Sequence, residues 1–206
     1  MTRLSSFFER TSPYFLWLIL SLPGLGIVIN ALGADGTRVY HQLLHPTGEF
    51  AARMMLISMI ATPLAMWSKG WRGPRWLVKN RRYFGVAAFC YAFLHTLFYV
   101  LSEPMRRILA EATDLDIWTG WVAFAIFIPL AATSFDYAVR KMGTKWKSLQ
   151  RWVYAAAILT FVHWATLHGM RNPWPAIVEF TPLVLLTLYR LWWLYLRKRP
   201  DRPTAA

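Results

Sequence analysis

Apolar residues along this chain neither alternate nor keep to one helical face. They run in six nearly unbroken blocks separated by short polar connectors: Tyr14 to Leu32, Phe50 to Trp67, Tyr83 to Leu101, Ile117 to Phe135, Leu149 to Leu167 and Trp174 to Leu196. Each block is about as long as a helix rising roughly 1.5 Å per residue must be to cross a hydrocarbon core about 30 Å thick. The pattern therefore predicts an all-α polytopic membrane bundle of six transmembrane helices, forming one domain over residues 1–206. No connector exceeds about 20 residues, which is too short for a soluble nucleotide-binding domain, and no glycine-rich phosphate loop occurs. Reducing equivalents or other reactants must come from the membrane or from another protein.

In the first block, Pro23, Gly24 and Gly26 are acceptable where neighbouring helices cover the backbone. Ala31 to Gly33 resembles the cleavage site of a signal peptide, but the apolar run before it is longer than a usual signal core. The block is expected to stay as the first span.

Composition sharpens the class: 56% of residues are apolar, 17% are aromatic and twelve are tryptophan, unlike an ordinary soluble domain. A net charge of +13 would suggest nucleic acid in a soluble protein, yet here the basic residues sit in the connectors. They act as topology signals. With the N-terminus in the cytoplasm, 18 of the 23 lysines and arginines fall on that side, leaving Arg38, Arg53, Arg106, Arg107 and Arg171 outside. Both termini are then cytoplasmic, and the acids Asp35, Glu49, Glu103, Glu111, Asp114, Asp116 and Glu179 lie in or beside the outer half. The single cysteine, Cys90, rules out a disulfide framework or a zinc or iron–sulfur site built within one chain.

Two histidines stand out, because an ionisable side chain at membrane depth is costly and marks function by default. His95 lies 13 residues beyond Arg82 and His163 lies 12 beyond Arg151, in blocks running in the same direction. Each is thus about 18 to 20 Å above its cytoplasmic anchor. Residues one and two turns earlier are small, Ala92 and Ala88 before His95, Thr160 and Ala156 before His163, which leaves a gap fit for a flat macrocycle. Either histidine alone is explained by a bond to a neighbouring helix. The pair at equal depth points to a six-coordinate haem iron suited to electron transfer.

Arg53, a turn into the second block, either snorkels to the surface or offers its planar fork to a haem propionate. Glu179 reads as an interfacial acid or as a proton-handling group near a quinol. His41 and His45, before the second block, read as solvated or capping groups, and His168 as interfacial. Tryptophans near block ends form an interfacial belt.

These residues resemble a family over nearly the whole chain. The carrying stretches are His45-Pro46-Thr47-Gly48 leading to Arg53, Thr62-Pro63-Leu64, Arg81-Arg82-Tyr83-Phe84-Gly85, Phe93-Leu94-His95, Thr133-Ser134-Phe135-Asp136, then Gly143, Trp146, Leu149, Val153-Tyr154 and His163. Their order and spacing are similar to the haem-binding membrane subunit of the periplasmic methionine sulfoxide reductase system, the MsrQ or YedZ type, within the ferric-reductase-like transmembrane group. The resemblance implies a six-helix b-haem protein of the bacterial inner membrane, with His95 and His163 as axial ligands. It would take electrons from quinol, or from a cytoplasmic flavin reductase with FMN, and pass them to a periplasmic molybdopterin reductase that repairs oxidised methionines. In the family a histidine commonly stands 13 residues before the one matching His163; this chain has Gln150 there. An amide is a poor haem ligand, so one haem is expected. Two other readings remain at this point: a ferric-reductase-like haem protein with another donor or acceptor, and a haem-free scaffold whose histidines only join helices.

Overall fold

The computed structural model describes residues 2–33, 36–167 and 172–196, with side chains from Tyr14 onward. Nine α-helices are found among the described residues: α1 (Thr2–Leu32), α2 (Arg38–Trp67), α3 (Arg72–Ser102), α4 (Met105–Glu111), α5 (Leu115–Ala132), α6 (Asp136–Met142), α7 (Thr144–Gln150), α8 (Val153–Thr166) and α9 (Trp174–Leu191), the last continued by a π-helical turn over Trp192–Leu196. No strand occurs among these residues. Five helical segments are long and apolar enough to cross a membrane: Tyr14–Leu32, Arg38–Trp67, Arg72–Ser102, Leu115–Ala132 and Trp174–Leu196. Their outward faces carry the apolar surface expected against lipid, such as Leu22, Ile29, Val178 and Leu185, so this is an integral membrane protein.

The fifth apolar block differs from its expectation. Instead of one helix from Leu149 to Leu167 it breaks at Arg151 and Trp152, leaving α8 only 14 residues long. The preceding turn, α7, lies across the end of α5. There Trp146 Nε1 donates to the Thr133 carbonyl at 2.9 Å and Gln150 Nε2 donates to the Leu130 carbonyl at 3.0 Å. Ser134 Oγ donates to the same Leu130 carbonyl at 2.6 Å, and Thr133 Oγ1 to that of Pro129 at 2.8 Å. Carbonyls that a helix end leaves unmet are thus closed by side chains.

Two other helices begin earlier than their apolar blocks. α2 starts at Arg38, three turns before Phe50, because its first turns are two-sided: Leu43 and Thr47 are buried while His41, His45 and Glu49 line an open cavity. Polar residues facing a cavity read, in sequence, as a connector. α3 likewise begins at Arg72, among the basic residues.

α2 packs along α3, α5 along α8, and α2 also meets α8 and α9, so α2 is central to the bundle. One core joins Met55 and Leu56 of α2, Ala88 of α3, Phe127 and Leu130 of α5, Ala156 and Ala157 of α8, and Phe180 and Leu183 of α9. Ala88 and Ala156 are fully buried, and their small side chains let α3 and α8 come close to their neighbours at this level. α1 lies on the outside of α2 and α3 through Leu16, Leu20, Phe84 and Ala87. Its Pro23–Gly24 step has a specific partner. The Tyr91 hydroxyl of α3 accepts the Gly24 N–H at 2.9 Å and donates to the Leu20 carbonyl at 2.8 Å. A side chain thus bridges two groups that a helix would otherwise join directly.

Candidate functional site

A cavity of about 710 Å³ lies between α2, α3, α5 and α8, with α4 beside it, and its lining includes Glu103, Glu111, Asp114 and Asp116. Its size lies within the range of about 300–1,000 Å³ usual for cofactor-sized sites. Its inner walls are apolar, with Ala52, Met55, Ala92, Phe124 and Phe127, and its mouth is polar.

His95 and His163 face each other in this cavity. Their ring centres are 6.1 Å apart and their planes stand at 82°. They come from α3 and α8, helices whose sequence depth matched, and the structure brings them to one level. Each ring is held from behind in the same way. His95 Nδ1 lies 2.9 Å from the Leu44 carbonyl of α2, and His163 Nδ1 bonds the Asp116 carbonyl at the start of α5. A carbonyl can only accept, so each Nδ1 carries its proton and each Nε2 is left with a lone pair. That is the tautomer a metal requires, set by the group behind the ring. Ala92 and Thr160, a turn before the histidines, both line the cavity, whereas Ala88 and Ala156, two turns before, are packed in the core.

Arg53 lies beside the cavity rather than in its lining. Its Nη1 meets Glu49 Oε2 at 3.1 Å, while Nε and Nη2 both lie 3.0 Å from Glu179 Oε1, so α2 and α9 are tied by an ion pair. Glu49, which lines the cavity, also meets His45 Nε2 at 3.1 Å. Glu179 is therefore the partner of Arg53. His41 is 4.0 Å from Glu103 and stands with His45 on the cavity rim, both side chains mostly exposed. Gln150 is turned to the end of α5, away from the cavity, and His168 lies outside the described residues. Among the described residues no group of three or more histidine, cysteine or acidic side chains is placed to hold a bare metal ion.

A model of the ferric reductase like transmembrane component family matches residues 47–161. The chain is also 32% identical over 183 residues to the protein-methionine-sulfoxide reductase heme-binding subunit MsrQ of Yersinia pseudotuberculosis serotype O:1b (strain IP 31758), covering 85% of this chain and 88% of that one. The subunit of the same name from Yersinia pestis (strain Pestoides F) matches at 32% over 85% of this chain and 87% of its own. This chain belongs to the MsrQ family. No solved structure matches it.

Several residues of this MsrQ-family cavity escaped the sequence reading. Tyr99 is the clearest: its ring packs edge-on against Trp121 at 6.4 Å, it lines the cavity, and among the described residues its buried hydroxyl has no hydrogen-bond partner. It sits one turn beyond His95, which was the signal available. Gly48, named in the sequence only as part of a resembling stretch, and Gly120 each lie against one imidazole.

Proposed function

We propose that the protein is a b-type haem electron-transfer subunit of the bacterial inner membrane, with His95 and His163 holding the iron through Nε2. The facing imidazoles in one cavity carry this reading. Ring centres 6.1 Å apart in one cavity, with each Nδ1 held by a backbone carbonyl, leave both Nε2 atoms available to one metal. The Tyr99 hydroxyl, buried without a partner near the mouth, is suited to donate to a propionate. Haem, when bound, supplies one-electron exchange at iron, and the bundle supplies ligands, dielectric and docking surface.

In this reading residues 1–206 are one domain of six spans with both termini in the cytoplasm, α7 and α8 together making the fifth crossing. Quinol in the membrane, or a flavin reductase acting through FMN, is the donor. The acceptor is a periplasmic molybdopterin reductase of methionine sulfoxide. The printed name of the Yersinia relatives supports the sulfoxide-reductase role over another ferric-reductase-like pairing. Arg53 belongs to the site as a positive charge beside the cavity that neutralises Glu49. One haem per chain is proposed, since Gln150 is engaged with α5.

The test is the spectrum of the purified full chain. A Soret band that shifts on dithionite reduction is expected, lost in His95→Ala and in His163→Ala and kept in His41→Ala. Full haem content in either of the first two variants would remove that histidine from the ligand set, and absence of haem from the unmodified protein would leave the scaffold role.

A further inference from the structure

Thr47 and Gly48 on α2 and Thr119 and Gly120 on α5 form one arrangement twice. In each, the glycine lies directly against the histidine opposite: a methyl group added at Gly48 would come within 3.1 Å of His95 Cε1 and Nδ1, and one at Gly120 within 2.9 Å of His163 Nδ1. In each, the carbonyl that takes the imidazole Nδ1 belongs to the residue four before the glycine, Leu44 in α2 and Asp116 in α5. The threonine between them is fully buried, at 0% exposure for Thr47 and 1% for Thr119, so its hydroxyl must bond within the protein. Thr47 Oγ1 donates to the Leu43 and Leu44 carbonyls, at 2.7 Å and 2.9 Å. Thr119 Oγ1 donates to those of Leu115 and Asp116, at 2.6 Å and 3.1 Å.

Back-bonding threonines are ordinary in membrane helices. Helix structure alone does not account for carbonyl, threonine and glycine falling in the same register opposite each histidine, on two helices of otherwise different sequence. The common result is one carbonyl facing two side-chain donors, an imidazole N–H and a threonine hydroxyl whose single proton it shares with the carbonyl before it.

We propose that these two Thr–Gly steps position the His95 and His163 imidazoles and tune them as ligands. The glycine fixes how near each ring lies to its helix. The hydroxyl draws on the carbonyl's electron density and so limits how strongly that carbonyl pulls the Nδ1 proton. A carbonyl relieved of its hydroxyl pulls harder, makes the imidazole more anionic and favours oxidised iron. The effect is larger at Thr47, whose hydroxyl is nearer the shared carbonyl. The proposal rests on His95 and His163 being the iron ligands.

The test is a redox titration of the full-length, haem-loaded protein in detergent. Thr47→Val is expected to keep its haem and shift the reduction equilibrium toward ferric iron by about threefold to tenfold, a midpoint lowered by up to about 59 mV for one electron. Thr119→Val is expected to shift it less, and Thr47→Ser and Thr119→Ser to stay at the parent value. Gly48→Ala and Gly120→Ala are expected to lose haem or to change the low-spin ferric electron paramagnetic resonance spectrum. Parent potentials in both valine variants, equal shifts in valine and serine variants, or parent-like haem and spectra in both alanine variants would each overturn the proposal. If a valine variant does not accumulate, the serine and alanine variants still decide it. Retention of haem by His95→Ala and His163→Ala would instead overturn the ligand reading beneath it.

Discussion

At the scale of single residues, what sequence can reveal depends on whether a side chain is costly where it stands. His95 and His163 were legible because an imidazole at membrane depth demands a reason, and their spacing from Arg82 and Arg151 placed them at one level. The place of Thr47, Gly48, Thr119 and Gly120 beside the imidazoles was not, although Thr47 and Gly48 belong to a stretch that carries the resemblance, since small residues in an apolar helix are unremarkable until a ring is seen against the glycines. Tyr99 yields a direct prediction. Tyr99→Phe removes only the unpartnered hydroxyl, so haem should load normally and then escape to a soluble haem acceptor about fivefold to tenfold faster, the kinetic worth of one hydrogen bond. An unchanged loss rate would leave the hydroxyl without a role in binding. Asp136, outside the spans, makes another. The hydrogen bond from Arg82, at 2.5 Å, and then the charge of that guanidinium hold its carboxyl below the ordinary carboxylate range. A carboxylate with a depressed folded value contributes above its unfolded value, near pH 3.9, and loses that contribution as pH falls through the folded one. Asp136→Asn should therefore melt slightly lower than the parent at pH 7 in detergent, and the gap should close as the pH drops below that range. A gap that persists in acid would mean the ion pair is not its source.

At the scale of elements, block length gave the existence of helices but not their ends. α2 and α3 run into stretches that read as connectors, because residues facing a cavity or carrying the basic end are polar on one side only. The break before α8 was hidden for the opposite reason. Arg151 and Trp152 interrupt a run whose composition stays apolar, and what α7 does there, closing the carbonyl end of α5, depends on a partner helix. The same contact underlies the proposal of a single haem. With Gln150 bonded to Leu130, a pyridine haemochrome assay against quantified protein should give a ratio near one. Gln150→His should leave that ratio close to one while lowering stability by about 1 kcal/mol through the lost bond. A ratio near two in the unmodified protein, with no copurifying haem protein, would sink the single-haem reading.

For the whole molecule, the bundle is held by α2, and the tie of Arg53 to Glu179 is a long-range link that no local pattern announces. The sequence reading offered Arg53 to a propionate, whereas its guanidinium is in contact with Glu49 and Glu179. Arg53→Ala would remove the positive charge next to Glu49, which lines the cavity; in the proposed haem site that favours oxidised iron, so the midpoint potential should fall and the attachment of α9 should weaken. A potential unchanged or raised at full haem occupancy would separate Arg53 from the cofactor. The tie also has a consequence for biosynthesis. Glu179 is made 126 residues after Arg53, so while the chain emerges from the ribosome the arginine enters the bilayer long before its distant partner exists. Glu49, one helical turn away and 3.1 Å from it, is already present, and it can shield that cation until α9 arrives and the last helix is latched onto the first-assembled part of the protein.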